Sequence, residues 1–284
     1  MFKVISLMFS AYVIYNESER VLKWWLYSLI SKSMIEACQP SEPYIDRKKL
    51  TTNLAKEIYA YNSDDTRSNL RTILVCGPRG AGKTTIVSEL LKETKGIVRI
   101  PISKMGTLDD VFEQLLDGLG MKRLPVGTTR RMMIESVLKQ ISEERKTKTK
   151  DKDKIWPTLL FEVNSQCSSK ELQDLLVLLK EWGGDNEWAK SIVVVSAVRA
   201  AMSLNIGLRP LRVVLVHVPG LTLEEVEQFV DAMLTDVCRD TTERARVANF
   251  VSPKLGRLLN NLHELKRRVQ RCNSLHEAEE AIEY

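Results

Sequence analysis

Residues 73–87, ILVCGPRGAGKTTIV, leave the chain little freedom: an apolar run closes on a glycine-rich loop, and the loop ends in Lys-Thr. The run reads as a buried strand and the stretch after it as an amphipathic helix. A strand, a tight loop and a helix in that order open a parallel α/β unit. The loop Gly77-Pro78-Arg79-Gly80-Ala81-Gly82-Lys83-Thr84 fits the pattern GxxxxGK[ST] at every position. Gly77, Gly80 and Gly82 are expected to allow backbone conformations that aim N–H groups at phosphate oxygens. The helix that starts near Lys83 turns its positive dipole end toward the same anion. Lys83 is expected to reach the β- and γ-phosphates, and Thr84 to place its hydroxyl on Mg²⁺, which favours oxygen ligands and phosphates. Gly77, Pro78, Arg79, Gly80, Ala81, Gly82, Lys83, Thr84 and Thr85 are therefore the expected site for ATP and Mg²⁺. An ordinary strand–turn–helix connection has no use for Gly-Lys-Thr at its mouth.

The rest of the chain repeats the alternation. GIVRIPI (96–102), TLLFEVN (158–164), SIVVVSA (191–197) and RVVLVHV (212–218) are short apolar or β-branched runs that read as strands. Between them lie helical patterns at 108–119, at 129–145 and over SSKELQDLLVLLKEW, which opens on a capping box from Ser168 to Glu171. After Leu221 the strand signal stops, and LTLEEVEQFVDAML starts a helix with Thr222 as cap and Glu225 three positions on. Five strands alternating with helices predict a three-layer αβα domain around a five-stranded, mostly parallel sheet, followed by a small helical lid. The expected boundaries are an N-terminal extension at 1–43, a nucleotide-binding domain at 44–220 and a helical lid at 221–284.

Bulk properties narrow the surroundings. The net charge of +5 is mild, so an acidic partner is allowed, while a chain that binds nucleic acid by overall charge is usually more basic. The five cysteines are scattered, odd in number and form no CxxC pair, which argues against a disulfide framework or zinc site and for an intracellular, reducing compartment. With three histidines, a His-based metal centre is not expected. VISLMFSAYVIY (4–15) is twelve apolar or near-apolar residues, short of the ~20 that a membrane-spanning helix needs. It reads as a docking element, a targeting segment or a membrane contact through residues 1–15. RKTKTKDKDK (145–154) holds six basic residues and reads as a solvated charged loop.

With these residues in place, the chain resembles the AAA+/STAND superclass of P-loop ATPases, closest in flavour to the archaeal-type ATPase group, over about residues 44 to 262. The glycine loop is the specific motif, and the remaining matches are short. YIDRKKL (44–50) is similar to the stretch the family places before its core, which implies that Tyr44, Ile45 and Arg47 lie near the base. Simple packing accounts for Tyr44 and Ile45 as well. SIVVVSA resembles the family's sensor strand, with Ser196 at its tip near the γ-phosphate. VSPKLGRLL resembles a lid turn and implies Lys254 or Arg257 near the nucleotide, although a solvated surface is the commoner place for such side chains.

The chain departs from the family at its second acidic motif. The family's strand ends in Asp-Glu: the Asp positions Mg²⁺ through water and the Glu activates the attacking water. Here the strand reads LLFEVNSQ. In one register Glu162 stands at the Asp place and Val163 at the base. In the other Asn164 and Ser165 fill them. Neither register supplies two adjacent acids. Strand alternation puts Glu162 and Asn164 on one face, and Glu162 is the expected Mg²⁺-side carboxylate. A general base contributes ~10²–10⁴ in rate, so hydrolysis without one is expected to be slow. Asp174 and Asp185 are alternative acids that no spacing demands.

Three functions fit. A nucleotide-dependent switch with slow or partner-dependent hydrolysis explains a full phosphate loop with an incomplete acid pair, and it implies a protein partner or self-association. An oligomeric ATPase or remodeller would borrow an arginine from a neighbour, with Arg209 and Arg212 as candidates. A nucleic-acid-associated ATPase would use 145–154 and KRRVQR (266–271), but no aromatic interleaving supports base stacking. A small-molecule kinase lacks any second substrate signature.

Overall fold

The computed structural model describes residues 47–59, 71–92, 97–103, 106–118, 127–147, 157–163, 167–196 and 212–234, with single positions or short runs at 94, 201, 240–242, 244–246, 249 and 267. In chain order the elements are α1 (Lys48–Tyr59), β1 (Thr72–Cys76), α2 (Lys83–Leu91), β2 (Ile97–Ile102), α3 (Leu108–Gly118), α4 (Arg130–Thr147), β3 (Thr158–Val163), α5 (Ser169–Leu179), β4 (Lys190–Val195), β5 (Val213–His217) and α6 (Leu223–Leu234). The five strands form one sheet in the order β2-β3-β4-β1-β5, and every pairing is parallel. The expected αβα core is borne out, each strand lying within a residue or two of its predicted place. Of the expected lid, α6 and a few isolated positions are described.

Strand alternation divides the core into two layers. Leu74, Cys76, Leu159, Phe161, Val163, Val193 and Val195 face α3, α4 and α5. Ile73, Val75, Leu160, Ile192 and Val194 face α1 and α2, where they meet Leu54, Ile58, Ile86, Val87 and Leu91. The central strands are buried on both faces and so read as unbroken apolar runs rather than alternating ones. Burying side chains such as Phe161 stabilises the fold by roughly 1.5–3 kcal/mol each. Among the described strands β2 pairs with β3 alone, and its Arg99 and Pro101 are exposed. An edge strand is where proline, which has no N–H to donate, is tolerated.

Both expected capping boxes form. The Ser168 hydroxyl accepts from the Glu171 amide, and the Glu171 carboxylate accepts from the Ser168 amide at 2.6 Å. Thr222 and Glu225 do the same for α6, at 3.2 and 2.8 Å. The helix expected to run from Ser168 through Trp182 instead ends at Leu179 and widens into a π-helical turn, Lys180–Asp185. The wider turn accommodates the buried Trp182, whose Nε1 donates to Glu135 of α4 at 3.1 Å. α4 also runs two residues past its expected end, to Thr147.

Candidate functional site

The glycine loop crosses from the C-terminal end of β1 to the start of α2. Gly80 and Gly82 have φ of 83° and 81°, the left-handed region that side chains avoid, so these two glycines shape the loop as expected. Gly77 differs from the expectation. Its φ is not positive, and a Cβ there would stand 2.1 Å from the Val218 carbonyl oxygen. The chain after β5 crosses Gly77 so closely because the Val218 amide donates to Cys76 O at 2.7 Å. Gly77 is thus required by backbone packing rather than by a special dihedral.

Lys83 is buried at the first turn of α2, and its Nζ donates to the carbonyls of Gly77 at 2.9 Å and Pro78 at 2.8 Å. It has no salt-bridge partner among the described residues. Burial lowers its pKa, and the nearby Cys76 opposes that shift. Burial raises the Cys76 thiol in turn, so Cys76 offers Lys83 no negative charge at neutral pH. A cation at the positive end of a helix, desolvated and without a counter-ion, is an arrangement that an anion completes. Around it, Pro78, Gly80, Gly82 and Thr84 are half-buried, Ala81 is buried, and Arg79 and Thr85 are exposed.

Glu162 is buried on β3. It shares a face with Leu160, hence with Val75, Val194 and α2. It stands two strands from β1, about 10 Å across. Oε2 accepts from Arg99 Nε at 2.8 Å, while Oε1 is buried and has no partner among the described residues. Arg99 is a neighbour that sequence reading missed, although one arginine inside the apolar run GIVRIPI was the available signal. Val163, which stands at the base position in one of the two registers considered above, points the other way into the core beneath α3, α4 and α5. Ser196 is half-buried and follows β4, whose Val195 pairs with Cys76, so Ser196 lies level with Gly77.

Arg47 comes to the same end of the sheet, although all its described partners are protein groups. It is buried; Nε meets Glu225 Oε1 at 3.0 Å, Nη1 donates to Ala81 O at 3.3 Å and Pro219 O at 3.1 Å, and Nη2 donates to Gly220 O at 3.2 Å. Tyr44, Ile45, Asn164, Arg209, Lys254 and Arg257 lie outside the described residues, as do 1–46 and 148–156. Arg212 stands just before β5, at the sheet edge opposite the loop, where it donates to Gly184 O. Among the described residues no group of three or more His, Cys, Asp or Glu side chains is placed to hold a metal, and no helix is long and apolar enough to cross a membrane.

A glycine loop with a buried lysine, at the C-terminal end of the central strand of a parallel sheet, defines a P-loop nucleotide-binding fold. Residues 66–183, less than half of the chain, match the family described as AAA domain. Among solved structures the chain is similar to the ORC2 protein of Aeropyrum pernix, in its ADPNP–ADP complexes, with a TM-score of 0.58 and 14% identity over 88% of this chain and 70% of that one. The ADP form of the same protein gives 0.57 and 14%, over 88% and 71%. Cdc6p from Pyrobaculum aerophilum gives 0.52 and 13%, over 86% of this chain and 64% of that one. At these identities the likeness is one of fold. No curated protein matches the chain.

Proposed function

We propose that the chain is a nucleotide-dependent switch that takes up Mg·ATP on residues 77–85 and hydrolyses it slowly. The observation that carries this is the pairing of a complete, anion-ready loop with a lone acid. Lys83 is buried without a counter-ion among the described residues, while β3 supplies Glu162 and then an apolar Val163 turned into the core. The residues present fit the metal: the buried Glu162 Oε1 has no partner among the described residues, and Thr84 follows the lysine. Bound Mg²⁺ would neutralise phosphate charge.

In this reading Lys83 exchanges the carbonyls of Gly77 and Pro78 for phosphate oxygens. Glu162 holds the metal side, and Ser196 senses the γ-phosphate from the tip of β4. Asn164, on the face of Glu162, orients water. Tyr44 and Ile45 lie against the base. Residues 221–284 act as a helical lid that closes on the 44–220 core, and a protein partner or self-association reads the closed state in a reducing, intracellular compartment. A lid moves only if the γ-phosphate is contacted differently in the two states.

The test is a single-turnover ATPase assay across protein concentrations. Slow hydrolysis with a rate independent of concentration is expected. A rate that climbs with concentration would favour an oligomeric ATPase with an arginine supplied by a neighbour. Against that alternative, Arg212 is engaged within its own chain by Gly184 O and lies 3.9 Å from Asp185.

A further inference from the structure

Arg47 joins three segments that the sequence keeps far apart: the start of α1, the glycine loop and the turn into α6. Four of its five guanidinium donor positions are used on them. Two of these contacts have consequences beyond packing. The first is to Ala81 O, a carbonyl inside the loop. In a planar trans peptide the C=O of Ala81 and the N–H of Gly82 point in opposite directions. Holding that carbonyl on Arg47 therefore turns the Gly82 amide away from the guanidinium, with Gly82 kept at φ 81°. The second contact is to Glu225, whose carboxylate is divided. Oε1 takes Arg47, while Oε2 accepts from the Thr222 amide and caps α6. One buried arginine thus sets both an amide of the loop and the first turn of the helix beyond β5.

The geometry points to Arg47 and Glu225 as a positioning pair that couples occupancy of the glycine loop to the placement of α6. This rests on the nucleotide reading above and gives Arg47 a role through protein groups rather than through the base. A nucleotide that binds the loop amides uses the arrangement in which Arg47 already holds the Ala81 carbonyl. Arg47 so oriented presents Nε to Glu225. Loosening either partner makes the nucleotide order the loop at its own expense, which weakens its binding.

The test uses the full chain, Mg·ATP titration calorimetry and thermal unfolding on four variants. E225Q keeps an oxygen to cap Thr222 but removes the charge that faces Arg47. R47K keeps the charge but loses the fork. T222A removes a cap contact and leaves Arg47 and Glu225 in place. E225Q and R47K are each expected to weaken Mg·ATP about tenfold, within the usual range of coupling between sites. The double variant should be no weaker than the worse single, because both act on one clasp. T222A should lower the unfolding temperature while its affinity stays within about twofold of the wild type. Folded E225Q that binds like the wild type, T222A that loses affinity as E225Q does, or losses that add in the double variant would each overturn the coupling. Wild-type chain that takes up no Mg·ATP would overturn the nucleotide reading and the coupling with it.

Discussion

Two buried lysines stand at opposite edges of the same parallel sheet, and their fates differ. Lys83 sits at the C-terminal edge, on the first turn of α2. Lys190 sits at the N-terminal edge, on the first residue of β4, and donates to the carbonyl of Ile58 near the end of α1. Burial lowers the pKa of both, that of Lys190 to about 8. Depressed basicity therefore does not tell a binding site from a structural lysine. The helix ends do. Lys190 meets the C-terminal end of a helix, where the dipole is negative and free carbonyls want a donor. Lys83 meets the N-terminal end, where the dipole is positive and repels it. Lys190 is matched to its helix end, whereas Lys83 has only the carbonyls of Gly77 and Pro78 to offset a helix end that opposes its charge.

Breaking each lysine in turn separates the two roles. Lys83→Ala should weaken Mg·ATP on the order of 100-fold or more in calorimetry, as expected when a charged donor to a phosphate is lost. The ligand-free variant should still unfold within about 1 kcal/mol of wild type, because the helix end does not favour the charge. Unchanged affinity would remove the site. Glu162→Gln should slow Mg²⁺-dependent turnover about tenfold or more, with folding retained because Gln can still accept from Arg99. Turnover equal to wild type would move attention to another carboxylate.

Lys190→Ala should leave Mg·ATP affinity alone and cost about 2–3 kcal/mol in urea unfolding, from a cavity and an orphaned Ile58 carbonyl. A loss of nucleotide affinity in this variant would erase the contrast. The smallest effect is the pH dependence. The folded pKa of Lys190, about 8, lies below the ordinary lysine value of 10.5 because the side chain is buried. Between those values the unfolded chain binds more protons, so this lysine's contribution improves as pH rises and is lost as pH falls through 8. Wild type should gain about 2 kcal/mol on Lys190→Ala between pH 8 and pH 10 in urea midpoints. A flat difference would mean that the Ile58 carbonyl keeps the ammonium charged throughout.

The contrast also marks what could be read in advance. Lys83 was legible because its chemistry is local: glycines, lysine and threonine fall at fixed spacing after an apolar run. The two capping boxes were legible for the same reason, each being closed within four residues. Lys190 carried no such signal, since a lysine just before SIVVVSA looks like any solvated strand end. Arg99 and Glu162 became a pair only when β2 and β3 aligned, with Pro101 opposite Glu162. The π-helical turn depends on Trp182 finding Glu135, which comes from a separate helix.

The sequence by itself determined the strand order along the chain, the αβα layering and the glycine loop between β1 and α2. Hydrophobic period, turn chemistry and caps act over a few neighbouring residues, and those are present before the chain folds. Only the tertiary structure decided why Gly77 must be glycine, where Glu162 finds its partner and what Arg47 holds. Each of those depends on a contact between segments far apart in the chain, set by strand register and by the crossing of β5 over the loop, and no local pattern encodes the distance between them.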